Sequence, residues 1–166
     1  MERCGRVPWS KERGGPLAWR EATGPQMVSA EEGEPVTHLA LSGGLAALEP
    51  LADWVLVGGA GGWYAPLSET HTYADWVVSE QLPVILVVGI KLGCINHAML
   101  TAEAVRARGL PLVGWIANTV EPPGKRYQEY LTSLKQRLPA PCLGTIPYLT
   151  DAAQQATCGQ YLTLPE

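Results

Sequence analysis

Pro83–Gly89 reads PVILVVG, and the residues that follow, Ile90–His97, read IKLGCINH. Val84 to Val88 form an unbroken apolar run rich in β-branched residues. This is the signature of a strand buried on both faces rather than one with a wet side. Behind it, His97–Arg108 has helical character and ends at Gly109, the residue type that closes helices at C′. A buried strand running into a helix is half of a βαβ unit.

Working outward, the same alternation recurs. Downstream, Leu112–Ala117 (LVGWIA) is a second apolar run. Gly124–Leu138 places Tyr127, Tyr130, Leu131, Leu134 and Leu138 on one face, with Lys and Arg outside, and predicts a helix. Cys142–Ile146 (CLGTI) predicts a strand that stops at Pro147. Upstream, Thr72–Gln81 is a predicted helix with Tyr73, Trp76 and Val77 on one side. Asp53–Val57 (DWVLV) reads as a strand breaking into Gly58–Gly62. Val36–Leu51 spaces Leu41, Leu45 and Leu48 as one face of a helix, despite Gly43 and Gly44.

Strands alternating with helices imply parallel pairing through crossovers, hence an α/β fold. The first 25 residues differ: Arg, Gly, Pro and Trp alternate without either period, so no element is expected there. Residues 1–26 are therefore read as an irregular leader and residues 27–166 as the domain.

Composition narrows the function. The 166 residues are 46% hydrophobic and 17% charged, a globular profile with room for one core. A net charge of −4 gives no basic footprint for nucleic acid. No apolar run approaches the roughly 20 residues that span a bilayer. Met1–Arg6 is polar and charged with no apolar stretch behind it, unlike a secretory signal. Cys4, Cys94, Cys142 and Cys158 are far apart, as are His38, His71 and His97, which argues for reduced thiols, a cytoplasmic setting and no zinc site.

In open parallel sheets ligands bind beyond the carboxyl ends of the strands. Four segments qualify: Gly58–Gly62, Gly89–Asn96, Asn118–Lys125 and Pro147–Gln155. Gly58–Gly62 is either a tight turn or a backbone that a ligand can approach closely. It is no P-loop, and G-x-x-x-x-G-K-[ST] occurs nowhere in the chain. Asn96 either caps the helix or lends its amide, with the helix N-terminus, to a carboxylate. Cys94 as a nucleophile lacks an identifiable triad. Asn118 could bond an adenine edge or its own turn; Tyr148 could stack on a flat ring or pack in a loop. Tyr130 falls on an apolar face, as core residues do.

Together these segments resemble the dethiobiotin synthetase family. ADWVLVGGAGGW-x-x-PLS (Ala52–Ser68) is similar to the family's second motif. ADWV-x-x-EQLPVILVVGIKLGCINHAMLTA (Ala74–Ala102), GW-x-AN with PPGKR (Gly114–Arg126) and IPYL (Ile146–Leu149) continue in register. The resemblance runs from about Met27 to Leu164. It implies a P-loop NTPase-like parallel sheet with helices on both faces, and a cytoplasmic homodimer. It also implies an ATP- and Mg2+-dependent ligase: 7,8-diaminononanoate takes up CO2 as a carbamate, ATP phosphorylates it, and the second amine closes the ring of dethiobiotin. By the same resemblance, Gly59, Ala60 and Gly61 lie beside the phosphates, and Asn118, Pro147, Tyr148 and Leu149 contact the adenine. Gly93, Cys94 and Asn96, with Tyr130, would hold the substrate carboxylate, Asn96 acting across the dimer.

Two departures stand against full activity. The family's P-loop, its second essential lysine and its metal-binding Asp have no counterpart in residues 1–25, where Lys11 stands in an unrelated setting. The family's Val-Glu-Gly-Ala-Gly-Gly carries a magnesium-binding Glu, and that position here is Gly58. The expectation is a truncated relative that keeps binding residues and no catalytic ones. An uncovered apolar sheet and poor solubility would accompany that loss.

Overall fold

The computed structural model describes residues 37–59 and 61–165, which divide into two compact units at Glu80/Gln81. The segment 1–26, with Cys4 and Lys11, lies outside the described residues, as does Ala60.

The first unit holds two helices, α1 (His38–Leu48) and α2 (Tyr73–Ser79). Thr37 caps α1 by accepting from the Ala40 amide, and Glu49–Leu51 continues it as a 3₁₀ turn with Pro50 inside. Of the expected face, Leu45 is buried, while Leu41 and Leu48 are half-buried. A capping box opens α2, the Asp75 carboxylate accepting from the Thr72 amide at 2.7 Å. Trp76 is buried and donates its indole N–H to Ser42, tying α2 to α1.

Asp53–Val57 is not a strand. The residues pair with no ladder among the described strands, and Trp54 (53% exposed) and Leu56 (85%) face solvent. An apolar run becomes a strand only when another strand supplies its hydrogen-bond partners, and composition alone does not provide one.

The second unit is the α/β core: β1 (Val84–Gly89), α3 (Cys94–Ala107), β2 (Leu112–Asn118), α4 (Tyr127–Arg137) and β3 (Cys142–Ile146). The strands are parallel in the order β1-β2-β3, with Leu86 opposite Trp115 and Asn118 flanked by Gly89 and Ile146. The two crossover helices pack on each other and share one core. Val88, Trp115 and Ala117 from the sheet meet Ala98 and Ala102 of α3 and Leu131, Leu134 and Leu138 from α4 and its end. Small residues on α3 let that helix lie close to the strands.

Helix α3 starts three residues earlier than expected. Gly93, at φ +87, turns the chain in the left-handed region that glycine tolerates best, and the Cys94 amide donates to the Lys91 carbonyl at 3.1 Å. Gly109 closes the helix at φ +78, as its position predicted. After β3 a short helix α5 (Ala152–Ala156) and a 3₁₀ turn (Cys158–Tyr161) bring the chain back, where Leu162 bridges Gly144 in antiparallel fashion. No helix of the described residues is long and apolar enough to cross a membrane.

Candidate functional site

The ends of β2 and β3 lie side by side, so the residues just past them share a surface. Pro147 has no N–H to continue the β3 ladder, which sends the chain out of the sheet. Asp151 caps α5 through the Gln154 amide at 2.8 Å, and the Gln154 side chain accepts from the Thr150 amide at 3.2 Å. The returning segment is held at β3 by the Thr163 amide, which donates to the Leu143 carbonyl at 2.8 Å.

These constraints enclose a hollow of about 360 Å³, a size that takes a small organic ligand. Asn118, Pro147, Tyr148 and Leu149, the residues expected to meet an adenine, all line it. So do five that the sequence reading missed: Thr119, Val120, Ile146, Gln155 and Cys158. Thr119 and Ile146 were legible in principle as neighbours of strand ends. Gln155 and Cys158 were not, because they arrive by the return of the chain to β3. Tyr148 is 42% exposed and therefore available to a ligand.

A second hollow, about 240 Å³, opens between the end of β1 and the start of α4. Tyr130 lines it with Lys91, Leu92, Tyr127 and the Pro122–Arg126 turn. Lys91, Lys125 and Arg126 outnumber Glu121 on its wall, which favours an anion. Arg126 is partly committed to Glu129 at 2.6 Å; both are exposed, so the pair is weak.

Gly93, Cys94 and Asn96 sit in the next turn of chain, at the start of α3, and do not line this hollow. Cys94 is 3% exposed, its side chain in the core with Val88 and Ala98, so it offers a ligand backbone only. Asn96 is not the helix cap; Gly93 holds that position and Asn96 is the third helical residue, exposed. The first amides of α3 have no acceptor within the helix, which suits a carboxylate there.

Gly58–Gly62 belongs to the first unit. Gly61 (φ +81) and Gly62 (φ +97) form a left-handed turn, and the Gly62 carbonyl accepts from the Ala65 amide at 3.1 Å. Gly59 lies against the ring of Tyr73; a Cβ there would be 2.7 Å from Tyr73 Cε1. The close approach that glycine permits is thus already used inside the unit. Gly58 has open space around it. The Tyr73 hydroxyl is buried without a partner, and burial pushes its pKa up.

The residues present fit the base of a nucleotide better than its metal. Among the described residues no three His, Cys, Asp or Glu side chains gather to hold an ion, and Gly58 has no carboxylate. The donor set that Mg2+ requires, several oxygens in octahedral array, is not assembled.

A family model described as an AAA domain matches residues 10–156. The chain is 58% identical over 149 residues to ATP-dependent dethiobiotin synthetase BioD 1 of Escherichia coli (strain K12), covering 90% of this chain and 66% of that protein. To the protein of the same name from Salmonella typhimurium it is 57% identical over 164 residues, 99% of this chain and 72% of the relative. A dethiobiotin synthetase from Serratia marcescens is 56% identical over 150 residues. The chain spans about two thirds of the length of the curated relatives it matches. At this identity over nearly its whole length, the chain belongs to the dethiobiotin synthetase family.

Proposed function

We propose that this chain carries the adenine-binding and substrate-binding walls of an ATP-dependent dethiobiotin synthetase, and that these 166 residues by themselves bind without turning over. One observation carries the reading: Asn118, Pro147, Tyr148 and Leu149, named from motif resemblance alone, line a single hollow at the ends of two parallel strands. An amide beside an exposed aromatic ring is suited to a flat heterocycle, hydrogen-bonded at its edge and stacked on its face. The start of α3 and the cation-lined hollow beside Tyr130 suit the carboxylate of 7,8-diaminononanoate. Leu100, 56% exposed one turn beyond Asn96, supports a homodimer through α3 in the cytoplasm.

Turnover is a separate matter. Phosphoryl transfer depends on positioned cations, each worth on the order of 10³–10⁵ in rate. No P-loop occurs in the sequence, and no metal cluster among the described residues. Binding the ground state without stabilising the transferring phosphoryl group gives affinity and no catalysis.

Calorimetry with ADP, and a turnover assay with ATP, bicarbonate and 7,8-diaminononanoate, test both halves. ADP binding without dethiobiotin formation is expected. Dethiobiotin produced by the 166-residue chain would overturn the catalytic half; failure to bind ADP at millimolar concentration would overturn the binding half.

A further inference from the structure

Asn118 is fixed by its backbone. Its carbonyl accepts from the Ile90 amide at 2.8 Å, and the next amide, Thr119, donates to the Ile146 carbonyl at 3.0 Å. What remains of Asn118 for a ligand is its side-chain amide. Beyond Thr119 the chain leaves the sheet, and residues 120–126 are all exposed. They pack on nothing that would keep the end of β2 in register.

Tyr127 ends that excursion. Its hydroxyl lies 2.7 Å from the hydroxyl of Thr119, eight residues back. Thr119 is 4% exposed, a buried polar side chain at the wall of the larger hollow. Buried hydroxyls keep their place by keeping a partner, and here Tyr127 is that partner. Tyr127 itself lines only the smaller hollow, so it acts on the larger one through Thr119.

We propose that Tyr127 is a positioning residue for nucleobase recognition: through the Thr119 hydroxyl it holds the end of β2 so that the Asn118 amide meets the base in one orientation. The inference rests on the reading of the larger hollow as the adenine site. It goes beyond that reading by assigning base selectivity to a residue that never touches the base. A hydrogen bond between two fixed hydroxyls restricts both ends, and an amide that can swing is a poor judge of donor and acceptor patterns.

The test is the ratio of ADP to GDP affinity, measured by calorimetry on the full chain, with melting temperature followed in parallel. Tyr127→Phe and Thr119→Val should each weaken ADP about threefold to tenfold and leave GDP nearly unchanged, so that the preference for adenine shrinks by the same factor. The double variant should lose no more than either single one, and Thr119→Ser, which keeps the hydroxyl, should retain the parental ratio. A purely structural bond would lower the melting temperature and leave the ratio intact, and that result overturns the proposal. If the parent chain favours ADP and Tyr127→Phe does so equally, this inference alone falls. If the parent binds neither nucleotide, the adenine reading falls and takes the inference with it.

Discussion

The carbonyl oxygen of Tyr161 occupies the space in which Gly144 would carry a side chain. The contact is part of a short antiparallel bridge, Gly144 to Leu162, that lays the C-terminal segment along the free edge of β3. Covering an edge strand in this way removes a template for pairing with other chains. It also carries Cys158 to the wall of the larger hollow. A single glycine therefore joins edge protection to the candidate site.

Gly144→Ala forces that segment off the strand. Overpacking of this kind costs about 1–3 kcal/mol, so the expected result is a lower melting temperature together with weaker ADP binding. Gly159→Ala, where a Cβ meets nothing within 4 Å, should change neither. Parental melting and affinity in Gly144→Ala would refute the relationship.

Tyr148 separates ligand contact from packing. At 42% exposure it contributes little to the core, and Tyr148→Ala should shift stability by no more than about 0.5 kcal/mol. Stacking of a base on an aromatic ring is worth about 1–3 kcal/mol, so ADP affinity should fall roughly tenfold to a hundredfold. Tyr148→Phe, which keeps the ring, should bind nearly as the parent does. Equal affinities for all three would remove Tyr148 from the site.

The strands of the core were legible because each is an apolar run that the sheet and helices bury: Val84–Gly89, Leu112–Asn118 and Cys142–Ile146 fall within a residue of the expected limits. Asp53–Val57 has the same composition and is not a strand, since pairing depends on a neighbour and not on the run itself. The start of α3 was misplaced because the left-handed turn at Gly93 leaves no mark in hydrophobic periodicity. The strand-end rule located Asn118 and Pro147–Leu149 correctly as neighbours. Gln155 and Cys158 sit in or beside AAQQA, which has no apolar face; their place comes from the Gly144–Leu162 bridge, a tertiary contact. The Thr119–Tyr127 pair was likewise invisible, because neither residue announces which hydroxyl it will meet.

Tyr73 predicts an alkaline signature. Burial raises the pKa of its hydroxyl in the folded chain, whereas unfolding returns it to the ordinary tyrosine value near 10. The folded state thus holds this proton more tightly. The associated stability is present below about pH 10 and is lost as pH climbs through the raised folded value. The hydroxyl also has no partner in its buried position, which costs about 1–3 kcal/mol. Tyr73→Phe should be at least as stable as the parent at pH 7, with its advantage widening above pH 10. Urea midpoints at pH 8 and pH 10.5 would show this, and a variant that loses stability at both would contradict it.

Gly58 allows the metal question to be put directly. A side chain there meets nothing within 4 Å, and the position is exposed, so Gly58→Glu should fold and melt as the parent does, to within about 0.5 kcal/mol. The substitution supplies the carboxylate that the family motif carries. One carboxylate is still far from an octahedral oxygen set, and it brings no cation to the transferring phosphoryl group. Gly58→Glu should therefore remain without ATP turnover at any Mg2+ concentration, as followed by phosphate release in the presence of 7,8-diaminononanoate and bicarbonate. Mg2+-dependent phosphate release in this variant, absent from the parent, would show that a single lost carboxylate, and not the missing phosphate cradle, is what silences the chain.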